Sequence, residues 1–391
     1  PPNWIKVRFD EIAENITDRI DKPNESGLEY YIGLEHIDTD QIRIKKFGST
    51  EDVKATKFLC KKGDIIFGKR RSYLRKVAIT DRDAVVSAHS MVIRPKGDLI
   101  VPEFLPCFMQ SSVFWKTAHA ISEGSMSPTI KWKTMAKQEF WIPTIEEQKK
   151  TSEVLWSIED TIEKSEFATK KVLILKDGLL DKLLDQGIGP KKYKNTKIGK
   201  IPEDWNVYGL FETGEYINGK AFKPSEWKEE GTTIIRIQNL TNIDSKFNYY
   251  NGDIKEKYIV QKGDLLFPWS ASINVYIWKG ERAYLNQHIY KIIPNGGVDK
   301  KFLYYMLLKQ IKHMEKISHG TTMKHITKKN LEKMMIPIPT LDEQYSIVKI
   351  LEILDTMIEK QIDNLDKLQV LKKKLTNEFI SGKLIIPKEV L

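Results

Sequence analysis

Ile142-Pro143-Thr144-Ile145-Glu146-Glu147-Gln148 returns, nearly letter for letter, as Ile338-Pro339-Thr340-Leu341-Asp342-Glu343-Gln344. Both stretches read as the start of a long helix. Thr144-x-x-Glu147 and Thr340-x-x-Glu343 are capping boxes, in which the Thr hydroxyl accepts an early backbone N–H and the Glu reaches back to the cap. An apolar 3.5-residue period follows through Leu155, Ile158, Ile162, Ser165, Thr169, Val172, Lys176, Leu179 and Leu183. The second copy continues through Leu351, Leu354, Ile358, Gln361, Leu365, Leu368, Lys372, Leu375 and Phe379 in the same register. About four heptads of this kind predict coiled-coil helices, with Gly187 and Gly382 as their C-terminal stops. The polar interruptions coincide too: Ser165 aligns with Gln361 and Lys176 with Lys372, marking either fixed register or a partly exposed seam edge. At about 1.5 Å per residue, roughly 40 residues span about 60 Å. A stripe of this length must be buried, and the two helices are natural partners for one another; pairing between two chains is the alternative.

Outward from the helices the repeat continues. Lys62-Gly63-Asp64-Ile65-Ile66-Phe67 answers Lys262-Gly263-Asp264-Leu265-Leu266-Phe267, an offset of 200 residues from 63 to 263. Trp4 answers Trp205 and His89 answers His288. A period this long is a duplicated domain, because solenoid units run roughly 20 to 50 residues. Within each copy, Tyr30 to Ile37 and Ile234 to Leu240 alternate like half-buried strands, and Lys-Gly-Asp reads as a tight turn into another strand. Phe104 to His119 and Phe302 to His313 look helical, so each half is α+β. Lys191 to Lys200 is a polar junction between the copies.

The 391 residues suggest two or three domains, and the 41% apolar, 30% charged composition is that of a soluble globular chain. No window is apolar enough to span a bilayer, and no signal-peptide pattern or basic amphipathic helix stands out. Cys60 and Cys107 form no CxxC, so neither a disulfide framework nor a zinc site is expected, which fits a reducing cytoplasm. Sixty-three Lys and Arg against 53 Asp and Glu give +10, which favours a polyanionic partner, although excess charge also serves solubility.

Comparison of the copies separates scaffold from variable surface. After the shared turn one copy reads Gly68-Lys69-Arg70-Arg71-Ser72-Tyr73-Leu74-Arg75 and the other Pro268-Trp269-Ser270-Ala271-Ser272-Ile273-Asn274. Gly33, Glu35 and His36 face Arg236, Gln238 and Asn239. These residue types suit base edges, while Trp or Tyr packs on sugars or exposed bases. Lys69, Arg70 and Arg71 read as phosphate contacts, as do Lys324 and Lys328; Arg236, Gln238, Trp269, Ser270 and Asn274 read as base contacts. Ser72, Tyr73, Arg75, Asn239 and Ser272 complete these loops. Ser125 and Lys131, with Thr321, Thr322 and His325, belong to Gly-Ser and Gly-Thr loops that can donate to phosphate. Neutral drift of surface loops would produce similar variation, and such loops are also ordinary connections.

Catalytic signatures are missing. No Asn- or Asp-Pro-Pro-aromatic motif, Gly-rich cofactor loop, Walker loop, His-Glu-x-x-His or nucleophile elbow occurs, and Pro1-Pro2-Asn3-Trp4 has the wrong order for methyl transfer. His89 and His288 head apolar strands, where histidine is usually structural.

Taken together, Ile201-Pro202-x-x-Trp205, Lys-Gly-Asp, the Gly-Thr-Thr loop and Ile-Pro-Thr-Leu-Asp-Glu-Gln before a long helix resemble the specificity subunit of type I restriction-modification systems. The resemblance covers essentially the whole chain, twice over. It implies two target recognition domains separated by two long antiparallel coiled-coil helices with a pseudo-two-fold internal repeat; the apolar seam itself permits either direction. The corresponding divisions are 1–142 and 188–337 for the recognition domains, with helices in 143–187 and in 338–391, the latter carrying a C-terminal tail. A split sequence in double-stranded DNA is then read half by each domain, and the helices set the gap and dock two methyltransferase subunits. Catalysis rests with those subunits and with restriction subunits; S-adenosylmethionine, ATP and Mg belong to the partners, and this chain carries no cofactor, metal or catalytic residue. The absence of an initiator Met departs from the family and reads as a trimmed start. Three rivals stay open: a specificity subunit for a fused nuclease-methyltransferase, a DNA-acting enzyme with an unfamiliar centre, and a coiled-coil scaffold whose basic halves bind protein.

Overall fold

Both Lys-Gly-Asp sequences form the tight turn that their Gly demands. Gly63 and Gly263 adopt left-handed φ angles of +92° and +91°. Each Asp carboxylate accepts the N–H three residues back, Lys61 to Asp64 and Gln261 to Asp264, both at 2.8 Å. The apolar residues that follow become central strands. This is a computed structural model that describes residues 3–242, 244–270, 273–318 and 331–386. It divides into two units, Pro1–Phe167 with Ile362–Leu391, and Ala168–Gln361.

In the first unit, Ile65–Gly68 lies between Ser90–Pro95 and Val77–Ile79, with Ala13–Ile16 at the far edge, all antiparallel. A five-stranded sheet runs Arg19–Ile20, Lys57–Cys60, Ala84–Val86, Tyr30–Ile32 and Gly48–Ser49, and Tyr30–Ile32 pairs parallel to Ala84–Val86. Strand Ile5–Arg8 pairs with Glu139–Ile142, which leads into the first long helix. The core is strongly aromatic, with Phe9, Phe67, Phe104, Phe108, Phe114 and Trp115 all buried.

The second unit repeats this plan. Gly214–Asn218, Ile289–Pro294, Leu265–Pro268 and Tyr276–Ile277 form one antiparallel sheet. Asn248–Tyr250, Thr232–Ile235, Ala283–Leu285 and Ile259–Val260 form the other, with its parallel pair at Ile234–Ile235 and Tyr284–Leu285. Asn206–Gly209 pairs with Met335–Ile338 before the second long helix. Each half is therefore α+β, as expected, and the junction stretch holds a hairpin of Tyr193–Thr196 with Gly199–Pro202.

Three local expectations change. The apolar alternation after Tyr30 and Ile234 yields strands only to Ile32 and Ile235; Leu34–His36 and Ile237–Thr241 then wind into helical turns. The turn forms because a side chain satisfies the incoming backbone: Asn239 accepts the Arg236 N–H at 3.1 Å, and His36 Nδ1 accepts the Gly33 N–H at 2.9 Å. Phe104 to His119 is two helices rather than one, because Ser111 is extended and its hydroxyl caps the second at the Phe114 N–H. The third change concerns the second capping box and is described with the helices.

The long helices are Ile145–Gln186 and Leu341–Ile380. Every residue of the expected seam is buried or half-buried. In the first unit Leu155 packs with Leu375 and Phe379, and one turn later Glu159 binds Lys372, so the two segments run antiparallel. The second unit shows the same sense: Thr169 donates to Gln361 at 3.0 Å and Lys176 pairs with Asp355. Gly187 and Gly382 end the helices at φ +72° and +70°.

The Gln of each Ile-Pro-Thr motif is fully buried and anchors its helix to its own domain. Gln148 accepts the Val101 N–H and donates to Leu99 and Pro143 carbonyls at 2.8 to 3.0 Å. Gln344 does the same with Asp299, Gly297 and Pro339 at 2.7 to 3.0 Å. Thr144 and Glu147 form the expected box. Glu343 does not return to Thr340; it accepts instead from Trp205 Nε1 at 3.0 Å, the Ile188 N–H at 3.1 Å and Lys191 at 2.9 Å. An indole and an ammonium outcompete one amide because a buried carboxylate gains most from charged and multiple donors.

Candidate nucleic-acid interface

Backbone hydrogen bonds gather the variable loops of each unit around one short turn. In the first unit, the Ser87 N–H donates to Ile32 O at 2.9 Å, beside Gly33–His36, and the Lys69 N–H donates to His89 O at 3.2 Å. A third loop joins them: Ile130 N–H donates to Lys69 O at 2.9 Å and Arg71 N–H to Pro128 O at 2.7 Å. In the second unit, the Asn286 N–H donates to Ile235 O at 3.1 Å, beside Arg236–Asn239, and the Trp269 N–H to His288 O at 3.1 Å. His288 takes a left-handed φ of 70°, which bends this turn between the loops.

The first surface is cationic. Lys69 and Arg19 approach the same Phe58 ring, at 5.8 and 5.6 Å from its centroid. Burial and then repulsion from Arg19 lower the Lys69 pKa. Arg70 reaches both His89 ring nitrogens at 3.2 to 3.3 Å, and His89 titrates below its ordinary value through burial, then repulsion by Arg70, Lys69 and Lys57. Mutual repulsion of this kind is relieved by an anion. Arg71 is exposed with left-handed φ, and Tyr73 is 57% exposed. Ser125 is exposed on the third loop, and Lys131 pairs with Glu123 at 2.6 Å. Ser72 and Arg75 are turned into the protein: Ser72 is buried against the Ser122 hydroxyl at 3.0 Å, and Arg75 donates to Gln110 O at 3.2 Å.

The second surface is polar and aromatic. Gln238 is exposed on its helical turn, while Asn239 is held by the Ser245 and Lys246 carbonyls at 3.3 and 3.1 Å. The Arg236 guanidinium lies 5.0 Å from the Trp227 ring, and burial alone lowers its pKa. Its Nε has no hydrogen-bond partner among the described residues. Trp269 donates from Nε1 to Asn218 Oδ1 at 3.0 Å and stacks on Tyr290 at 5.8 Å. Ser270 and Asn274 are half-exposed nearby in sequence, the latter accepting the Val275 N–H at 2.8 Å. Ser272, Thr321, Thr322, Lys324, His325 and Lys328 lie outside the described residues.

Sequence reasoning passed over Arg19, Lys57 and Phe58. Their only signal was Arg19 and Lys57 within strands that also carry apolar residues, which becomes informative once the register Arg19 to Phe58 is known. It also passed over Phe211, Tyr216 and Asn218, which lie outside the loops compared between the copies.

A family model described as the type I restriction modification DNA specificity domain matches residues 1–173 and again 202–367. A putative type I restriction enzyme MjaX specificity subunit of Methanocaldococcus jannaschii is 28% identical, over 98% of this chain and 94% of its own length. The type I restriction enzyme HindI specificity subunit of Haemophilus influenzae is 21% identical over 98% of this chain and all of its own length. A chain from a structural study of complex assembly and conformational transition of the type I R-M system superposes with TM-score 0.61 at 20% identity, covering 98% of this chain and 99% of that one. The crystal structure of a type I restriction-modification S subunit from M. genitalium gives 0.58 at 15% identity, over 96% of both chains. These superpositions establish a shared fold.

Proposed function

Because this chain belongs to the type I restriction modification DNA specificity family, we propose that its two units read the two halves of one split sequence in duplex DNA. The observation that carries this reading is that one turn of a duplicated scaffold gathers two variable loops in each unit, with a third joined to them in the first. Their chemistry differs between the copies, as two different half-sites require.

In the first unit Lys69, Arg70 and Arg71 neutralise phosphates, aided by Arg19 and Lys57. In the second, Gln238 and Arg236 supply the amide and guanidinium geometry that suits adenine and guanine edges. Ser270 and Asn274 add short-range polar contacts. The chain performs no chemistry. It presents DNA to two methyltransferase subunits that carry S-adenosylmethionine, and to restriction subunits that use ATP and Mg, in the cytoplasm. The long helices dock the methyltransferases and fix the number of unread base pairs. The recognition domains correspond to 1–142 and 188–337.

Genome-wide mapping of methylated adenine in cells with and without the chain tests the reading. It predicts one bipartite motif with a constant gap that vanishes when the chain is deleted. Methylation by the assembled complex in every adenine context overturns it.

A further inference from the structure

The second unit holds an open cleft of about 490 Å³ lined by Phe211, Tyr216, Asn218, Trp269, Tyr290 and Glu332. Four aromatic rings form its walls. Phe211 meets Tyr216 at 4.9 Å and Tyr290 at 6.0 Å, and Trp269 stacks on Tyr290 at 5.8 Å. Two of the rings are held by hydrogen bonds. Trp269 is tied to Asn218, and the Tyr216 hydroxyl lies 3.0 Å from the hydroxyl of fully buried Thr213. The walls are therefore set before any ligand arrives, and binding orders little.

Among the described residues, the equivalent positions of the first unit carry no such walls. Strand register aligns Tyr216 with Asn15, Asn218 with Thr17 and Tyr290 with Met91, while the shared turn aligns Trp269 with Lys69. The Glu11 and Glu212 contacts to the Arg8 and Gly209 N–H groups align Phe211 with Asp10. A scaffold requirement would have left rings in both copies, since both fold on the same sheets. The aromatic walls, which also pack on the second unit's core, are thus specific to this half.

We infer that this cleft is a slot for a single nucleobase whose Watson–Crick edge carries an exocyclic amine beside an accepting ring nitrogen, adenine or cytosine, packed against its aromatic walls. Ring walls suit any base face. The polar groups choose among them: the Glu332 carboxylate accepts from an exocyclic amine, and Asn218 Nδ2, whose one bond among the described residues is a long 3.4 Å contact to Gly219 O, donates to the adjacent ring nitrogen. Thymine has no such amine. The inference rests on the proposed reading of DNA by this unit, because Trp269 starts the second unit's variable loop. The base comes either from the duplex, extruded from its stack, or from a free nucleotide.

Two arms separate these sources. The full chain is titrated with duplexes of its mapped site carrying one mismatch at a time. Unpairing is the main cost of extrusion, so a mismatch at the extruded base binds about fivefold or more tighter, while mismatches at the read positions bind more weakly. Trp269→Ala abolishes that gain; Glu332→Gln, at an exposed position, keeps the fold and reduces the preference for an amine-bearing base. In the second arm adenosine and cytidine monophosphates are added, and the tryptophan emission change is compared with that of Trp269→Phe. A positional gain assigns the slot to DNA; a Trp269-dependent emission change without one assigns it to a free nucleotide. Sequence-specific binding with neither signal overturns this inference and leaves the proposed function standing. Loss of sequence specificity altogether overturns both.

Discussion

Glu159 and Asp355 hold the same place in the two copies, and their partners Lys372 and Lys176 are also equivalent, yet the two ion pairs live in different surroundings. The Glu159 side chain is 1% exposed, and its Oε1 has no hydrogen-bond partner among the described residues. Asp355 is 32% exposed and has a second donor, the Tyr305 hydroxyl, at 2.5 Å. The position of Tyr305 is Cys107 in the first copy, where burial pushes the thiol pKa up to about 12 and the sulfur donates instead to Glu103 O. Duplication preserved the charge pair that registers the helices, and one neighbouring substitution changed how completely it is satisfied. The same divergence separates Trp205, bonded to Glu343, from Trp4, whose indole nitrogen lacks a partner among the described residues.

The largest expected effects of this difference are on stability. Lys372→Met leaves a buried carboxylate alone and should cost about 3–5 kcal/mol in denaturant unfolding. Lys176→Met leaves Asp355 its tyrosine and partial solvent, and should cost about 1 kcal/mol. Equal losses would show that the surroundings do not matter. Where the copies agree, effects should agree: Gln148→Ala and Gln344→Ala each strand three backbone groups and should lose similar amounts, about 2–3 kcal/mol. A large inequality would show that the two helix anchors are not equivalent.

The loops differ, and so should their substitutions. Gln238→Ala should relax discrimination at one base pair by about 1–3 kcal/mol, read from competition binding against variant duplexes. Lys69→Ala should weaken binding evenly across sequences and lower the salt slope by about one unit. The smallest effect concerns pH. His89 titrates below 6.5 in the folded chain, so the unfolded chain binds more protons between that lowered pKa and 6.5. Its contribution is complete above 6.5 and fades on acidification; His89→Gln should flatten this part of the stability profile in urea melts at stepped pH.

The repeat, the helix starts, the seam and the Lys-Gly-Asp turns were legible because each is a local pattern with a single physical solution. The role of Gln148 and Gln344 was printed in the same motif and passed unread, since their domain partners lie 45 to 49 residues away in sequence and only folding brings them within 3 Å. Arg75, Ser72 and Asn239 read as exposed polar side chains for the opposite reason: composition does not say which polar side chain the backbone will claim. The loops themselves were visible as differences between copies. Their convergence on residues 87–89 and 286–288 was not, because it is carried by backbone hydrogen bonds that leave no mark in the letters.

Replacing Gln238, Ser270 and Asn274 together with Ala and mapping methylated adenine across the genome tests the division of labour most directly. The account predicts that one half of the bipartite motif loses its base preference while the other half and the gap stay as they were. Relaxation of both halves, or of neither, would contradict it.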